Sequence, residues 1–439
     1  MDADAALGET VRMEGTRILA TLIRTVGSLP LAEDAVQEAA LRALREWPRT
    51  GVPEEPRAWL TVTARRVAID LLRREGARAQ KERASVELTV PDLPPDSVVA
   101  DDRLRLIFTC CHPALALEAQ VTLALRTLCG LSSAQIAAVL LTSEAAVAKR
   151  LTRTRKKIAT AAIPYRVPAD EELPARLAAV CAVLHTSYTI AHTAAGGDRL
   201  IDVDGTREAM RLARLVHDLM PDEPSPMAVL ALQLLTESRR AARVNEAGEP
   251  IPLSDQDRSL WDASAIAEGL ALLDDSLRRT GAVADPYQLQ AAIAAEHARA
   301  ASYEATDWAE IVRLYDLLIS VRPSAPVALA RAVALAERDG PAAGLAALEP
   351  IEPDPRWHAV RGELLSRQGR FAEAVAATRS SLTDAVTGPE RMYRQRRIAE
   401  WQARSGVQEI RGGLGLDESR HQDVDSAAVT DLRDRRDRR

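Results

Sequence analysis

Six basic side chains fall within Ser143–Ile158 (SEAAVAKRLTRTRKKI), against the single acid Glu144. Read as a helix, Val147, Leu151 and Ile158 share one face, which can pack on Ile136 and Leu140 of a preceding helix. Lys149, Arg150, Arg153, Lys156 and Lys157 lie off that face. Ser132–Leu140, the turn Leu141–Thr142 and Ser143–Ile158 then make a helix, a tight turn and a second helix. A second helix of this kind suits a DNA major groove, with its N-terminal residues at base edges and its basic C-terminal residues on phosphates. Taken alone, the pattern is equally a solvated charged face on an ordinary helical hairpin.

Two earlier segments carry weaker signals. Leu31–Trp47 gathers Glu33, Asp34, Gln37 and Glu38 at one end of an amphipathic helix. Acids in a first turn also suit the helix dipole and need no partner. Pro56–Glu75 combines Trp59 with Arg65, Arg66, Arg73 and Arg74. An aromatic beside a basic face is what single-stranded nucleic acid binding uses. A core tryptophan with solvated arginines is the plainer alternative.

The elements that must position these residues are helical. Aromatics make up 3% of the 439 residues, so the cores must be built from Ala, Leu, Val and Ile, which favours close-packed helices over a large sheet. The expected fold class is all-α. Residues 11–48 place Ile18, Leu22, Leu29, Val36, Ala40 and Leu44 at helical spacing, with a break at Gly27–Pro30 and a loop from Pro48 to Pro56. In the next helix Leu60, Ala64, Val67, Ile69, Leu71 and Leu72 point inward. Ser132 or Ser133, and Ser143, are expected N-caps. Residues 84–102 hold three prolines and five acids with no base and read as an extended linker. Residues 175–403 are again helical, with a degenerate repeat whose helices open near Asp307, Gly340 and Arg370, close to the tetratricopeptide period. Residues 407–439 read as a disordered tail. The domain expectation is therefore 1–83, a linker at 84–102, 103–165, a helical domain at 170–405 and a tail from 406.

Charge and composition exclude several classes. The net charge of −6 divides into +3 over residues 1–170 and −9 over the remainder, so the candidate DNA-facing part is basic and the rest acidic. No apolar run approaches a membrane span, and the acidic N-terminus carries no signal peptide. Cys110, Cys111, Cys129 and Cys181 form no disulfide-like framework, which fits a reducing cytoplasm. Cys110-Cys111-His112 suggests zinc, but adjacent cysteines on a helix cannot readily ligate one tetrahedral ion, so a buried structural role is expected. His185 and His192 lie two helical turns apart without a third ligand. Asp255-Gln256-Asp257-Arg258 with Trp261 is polar enough for a site, although a helix N-cap and a local ion pair explain it more simply. No nucleotide-binding loop or hydrolase motif is present.

The three segments, in this order and separated by an acidic linker, resemble the extracytoplasmic-function class of sigma factors. Leu31–Trp47 is similar to the family's polymerase-binding helix, Pro56–Glu75 to its −10 helix and Val147–Ile158 to its −35 helix. The resemblance implies that Glu33, Asp34, Gln37 and Glu38 face core RNA polymerase. It implies that Trp59, Arg65, Arg66, Asp70, Arg73 and Arg74 face the −10 element. Ser143, Glu144, Ala145, Ala146, Lys149, Arg150, Arg153, Lys156 and Lys157 would face the −35 duplex. The strings at 106–120, 234–262, 285–298 and 306–319 resemble the subgroup with a tetratricopeptide-like C-terminal extension; Leu184–Ala195 departs from that subgroup's pattern. The implied partners are core polymerase, promoter DNA and a protein partner of the extension, with no membrane, cofactor, metal or catalysis. By the same likeness the linker would thread a basic channel. From its charge of −9, the extension is expected either to dock over Arg65, Arg73, Lys149 and Arg153 and gate them or to recruit a separate regulator. The alternative is a helix-turn-helix activator with a helical sensor domain.

Overall fold

The computed structural model describes residues 3–79, 104–140, 142–161, 163, 168–193, 200–281, 284–383 and 386–413. Among these residues there is no β-strand, in line with the all-α expectation. The linker expected at 84–102 lies outside them. Packing gathers the chain into two compact units, residues 1–244 with 251–304 and residues 245–250 with 305–439. The sequence suggested a serial division, with one domain over 170–405. In the structure the packing boundary falls at Glu304 instead, because α8–α12 share the first unit with the N-terminal helices.

The first unit begins with α1 (Ala3–Val26), α2 (Leu29–Thr50) and α3 (Pro56–Ala79). The inward face of α2 is Leu31, Ala32, Ala35, Ala39, Ala43 and Trp47. This corrects the expected stripe: Leu44 is 45% exposed. Ala35, Ala39 and Ala43 recur every fourth residue and let neighbouring backbones approach closely, whereas leucines there would hold them apart. The expected loop at Pro48 also starts later. The helix carries Pro48 inside it and stops at Gly51, whose φ of +87° suits glycine and whose N–H returns to the Trp47 carbonyl at 3.0 Å.

Next come α4 (residues 104–110), α5 (Leu117–Thr127), α6 (Ser133–Val139) and α7 (Glu144–Thr160). They are followed by α8 (Pro174–His192), α9 (Val203–Leu219), α10 (Pro224–Glu237), α11 (Ala263–Arg279) and α12 (Pro286–Arg299). In α10 every residue from Pro226 to Leu235 is buried, as a helix apolar all round must be, and α8, α9, α11 and α12 pack about it. One continuous core runs from Leu7 on α1 to Tyr287 on α12. It joins α4 and α5 (Ile107, Phe108, Cys110, Cys111, Leu123) to α8 (Val180, Cys181, Leu184). Arg176 of α8 is 2% exposed and donates to the Phe108 carbonyl at 3.0 Å, and the Cys129 thiol donates to Ser187 at 3.1 Å.

The second unit holds α13 (Trp308–Val321), α14 (Ala325–Asp339), α15 (Pro341–Leu348), α16 (Pro355–Arg367), α17 (Phe371–Ser380) and α18 (Gly388–Gly413), each packed on the next. Asp307 and Asp354 cap α13 and α16 by accepting backbone N–H bonds. A Cβ on Gly344 would lie 2.5 Å from that of Ala336, so only small residues permit the α14–α15 contact. Helix α18 continues to Gly413, into the segment expected as tail.

Arg176→Met keeps the bulk of the side chain but leaves the buried Phe108 carbonyl without its charged donor. Expected is a loss of about 1–3 kcal/mol of stability in denaturant unfolding of the full chain. An unchanged midpoint would show that α8 does not brace α4.

Candidate nucleic-acid interface

The helix-turn-helix is set by local capping. The Ser132 hydroxyl accepts from the Gln135 N–H while the Gln135 side chain accepts from the Ser132 N–H, a reciprocal capping box that starts α6. The Ser143 hydroxyl accepts from the Ala146 N–H at 3.2 Å and starts α7. Val147, Leu151, Thr154 and Ile158 are buried, and Ile136 of α6 is fully buried in the same core. That anchoring turns Ser143, Glu144, Ala145, Lys149, Arg153, Lys156 and Lys157 to the exposed side, with Ala146 at its edge. Among the described residues, Lys149, Arg153, Lys156 and Lys157 enter no ion pair, so their charge is available to an outside anion. Arg150 differs. Its guanidinium bonds Glu118 at 2.9 Å and Thr122 at 3.1 Å, both on α5, and so braces α7 from behind.

On α3, Arg66, Asp70 and Arg73 are exposed and share one face at helical spacing, joined by Val62 at 43% exposure. Arg73 and Asp70 stand 4.0 Å apart. Arg65 is half-buried. Trp59 is also half-buried and meets Trp47 edge to face, with ring centroids 5.6 Å apart. It therefore packs α3 on α2, where the sequence had suggested a stacking platform for a base. The side chain of Arg74 lies outside the described residues.

The acidic group on α2 divides. Asp34 and Gln37 are exposed, and Leu41 and Leu44 continue their stripe at 46% and 45% exposure. Sequence reasoning missed the two leucines as surface residues, because their spacing also fits a core. Glu38 pairs with Arg42 at 3.2 Å on the edge of this face. Glu33 does not belong to it. Its side chain is 9% exposed and accepts from Arg155 of α7 at 2.6 Å, tying the acidic helix to the basic one. Thr16 of α1 makes a second link, donating to the Leu128 carbonyl after α5 at 3.0 Å.

The cysteines near this interface are inert in placement. Burial pushes the Cys110 thiol up to about 12 and the Cys129 thiol up to about 11, and raises Cys111 and Cys181 further. Among the described residues no group of three or more His, Cys, Asp or Glu could hold a metal ion. No helix among them is long and apolar enough to cross a membrane.

Comparison with known proteins follows these boundaries. Residues 10–78 match the Sigma-70 region 2 family and residues 105–158 the Sigma-70 region 4 family. Residues 176–277 match a family of unknown function, DUF6596. An uncharacterized protein of Rhizobium meliloti is 42% identical over 388 residues, covering 85% of this chain and 91% of that protein. ECF RNA polymerase sigma factor SigJ of Mycobacterium tuberculosis is 32% identical over 191 residues, covering 40% of this chain; the chain spans 59% of that relative's length. No solved structure matches. With region 2 carried by α1–α3, region 4 by α4–α7 and an added helical domain from α8 onward, the chain belongs to the extracytoplasmic-function group of the sigma-70 family.

Proposed function

We propose that the chain is an alternative sigma factor that binds core RNA polymerase and directs it to promoters with two recognition elements. The observation that carries this reading is the exposed α2 stripe of Asp34, Gln37, Leu41 and Leu44 beside the exposed α3 stripe of Val62, Arg66, Asp70 and Arg73. A helix-turn-helix activator needs only α6 and α7. It has no use for a separate mixed acidic and apolar docking face next to a second basic face. In this reading α2 docks on polymerase, α3 lies along the melted −10 strand and α7 enters the −35 major groove.

The extension acts in cis by bracing region 4 from behind. Helix α8 packs on α5, the side of region 4 turned away from Lys149 and Arg153. Those two residues and Arg73 are exposed, and the apolar packing of α8 on the opposite face is what supports bracing over the docking of an acidic surface expected from charge. The Glu33–Arg155 pair draws α2 and α7 together. Engagement of separated promoter elements by α3 and α7 requires that pair to release.

Transcription in vitro with core polymerase and the purified chain tests the main reading. Run-off product is expected without any other sigma factor. Product that appears only after housekeeping sigma is added supports the activator instead. Replacing Lys149, Arg153 and Lys156 with Ala should weaken binding to −35 duplex and lower the slope of log K against log salt by about 0.9 for each phosphate that is no longer neutralised. An unchanged slope would mean that α7 does not face DNA.

A further inference from the structure

Positive charge gathers at one corner of the extension, where the C-terminal ends of α8, α10 and α12 meet the short turns at Arg240–Ala242 and Arg258–Leu260. The buried acid there, Glu237, is already satisfied. Tyr188 donates to it at 3.1 Å, Thr206 at 3.3 Å, and Arg240 pairs with it at 3.2 Å. Arg243 donates through Nη1 to His192, at 3.0 Å to Nδ1 and 3.1 Å to the backbone carbonyl. Arg258 donates through Nη1 to the His297 and Ala300 carbonyls at the end of α12, at 2.6 and 2.7 Å. Among the described residues neither Arg243 nor Arg258 forms an ion pair.

Arg239 is near enough for its charge to be felt at His192, Arg243 and His297. The imidazoles cannot share the load, because burial and the neighbouring arginines push His192 and His297 down to about 4. Burial first and Arg239 next push the Arg243 guanidinium down to about 10. Arg243 and Arg258 thus sit beside a further cation, with Glu237 and Glu304 acting on them only at a distance and, among the described residues, no carboxylate in an ion pair with either, an arrangement that an oxyanion would favour.

Two hydrogen-bond donors in the same corner also lack a recipient. Nη2 of Arg258 and Nε1 of Trp261 are buried without an acceptor among the described residues. The guanidinium lies 4.5 Å over the Trp261 ring, so the two donors are neighbours, and Trp261 itself is 8% exposed. A buried donor left unmatched is costly, so its usual explanation is a missing acceptor.

We propose that this corner binds the oxyanion, carboxylate or phosphate, of a small soluble molecule, held by Arg239, Arg243 and Arg258 with the Trp261 indole N–H as a further donor. Guanidinium forks match the paired oxygens of such groups. The bound anion would tie the end of α8 to α12. Because α8 also packs on α5, occupancy would stiffen the support of region 4. The binding itself stands independently of the promoter reading.

The test uses the full chain in low-chloride buffer, with inorganic phosphate and citrate as probes, followed by calorimetry and thermal melts. Saturable binding of at least one probe is expected, with a midpoint that rises with its concentration. Which probe binds more tightly distinguishes a tetrahedral phosphate from a planar carboxylate. Arg243→Gln should weaken binding about 10- to 100-fold, the effect of one charge-assisted bond. Trp261→Phe keeps an aromatic ring under Arg258 but removes the pyrrole ring with its N–H, and should weaken binding several-fold while the chain still folds, as its anion-free melt checks. That second variant decides the matter if Arg243→Gln does not fold. No saturable binding of either probe overturns the proposal. So does binding that survives Trp261→Phe and Arg243→Gln unchanged, or binding abolished by Lys149→Ala, which would place the anion on α7.

Discussion

Phe108, Cys110 and Cys111 are fully buried, yet α4, which carries Phe108 and Cys110, is a short helix that α5–α7 cannot enclose alone. Their remaining cover comes from Val180, Cys181 and Leu184 of α8, with Arg176 reaching across to the Phe108 carbonyl. That shared core constrains everything built on it. Helix α7 takes its orientation from α5 and α6, α5 is backed by α8, and α8 is held by the fully buried α10. The exposed basic side chains of α7 are thus positioned through three layers of packing, and the outermost layer belongs to the extension. A promoter-reading module that is complete in itself would need no such backing.

Legibility from sequence followed the range of each interaction. The capping serines of α6 and α7 and the buried stripe Val147, Leu151 and Ile158 were readable, because caps and helical periodicity are decided within a few residues. So was the exposure of Lys149, Arg153, Lys156 and Lys157. The buried face of α2 was not. Ala35, Ala39 and Ala43 and the row Val36, Ala40 and Leu44 have the same spacing, and only the closeness of the helix contact selects the first. The contact of Glu33 was not legible for a different reason: its partner Arg155 lies 122 residues away, on a helix that nothing local points to. Trp59 and Arg150 likewise carry residue types that suit nucleic acid but spend their contacts on Trp47 and on Glu118 with Thr122. The division of the helical extension at Glu304 is a property of long-range packing and leaves no mark in composition.

Among the described residues, the polar contacts between region 2 and region 4 include Glu33 with Arg155 and Thr16 with the Leu128 carbonyl. The first is largely buried on the Glu33 side, where a lone carboxylate would be costly. Separation of α2 from α7 therefore exposes that acid to water or to a new cation. The energetic asymmetry makes α2 sensitive to what region 4 is doing.

The four thiols give the shared core a chemical clock. Cys110, Cys111 and Cys181 are buried where α4 meets α8, and Cys129 is tied to Ser187 across the same seam. Burial keeps each one protonated far above neutral pH, so none reacts as a thiolate while the seam is closed. Modification of the buried Cys110, Cys111 and Cys181 then requires α8 to lift from region 4, and its rate follows how often that happens together with the reactivity of the reagent. Oxidants that would scar an open thiol pass this molecule by, and its sulfur chemistry records its breathing.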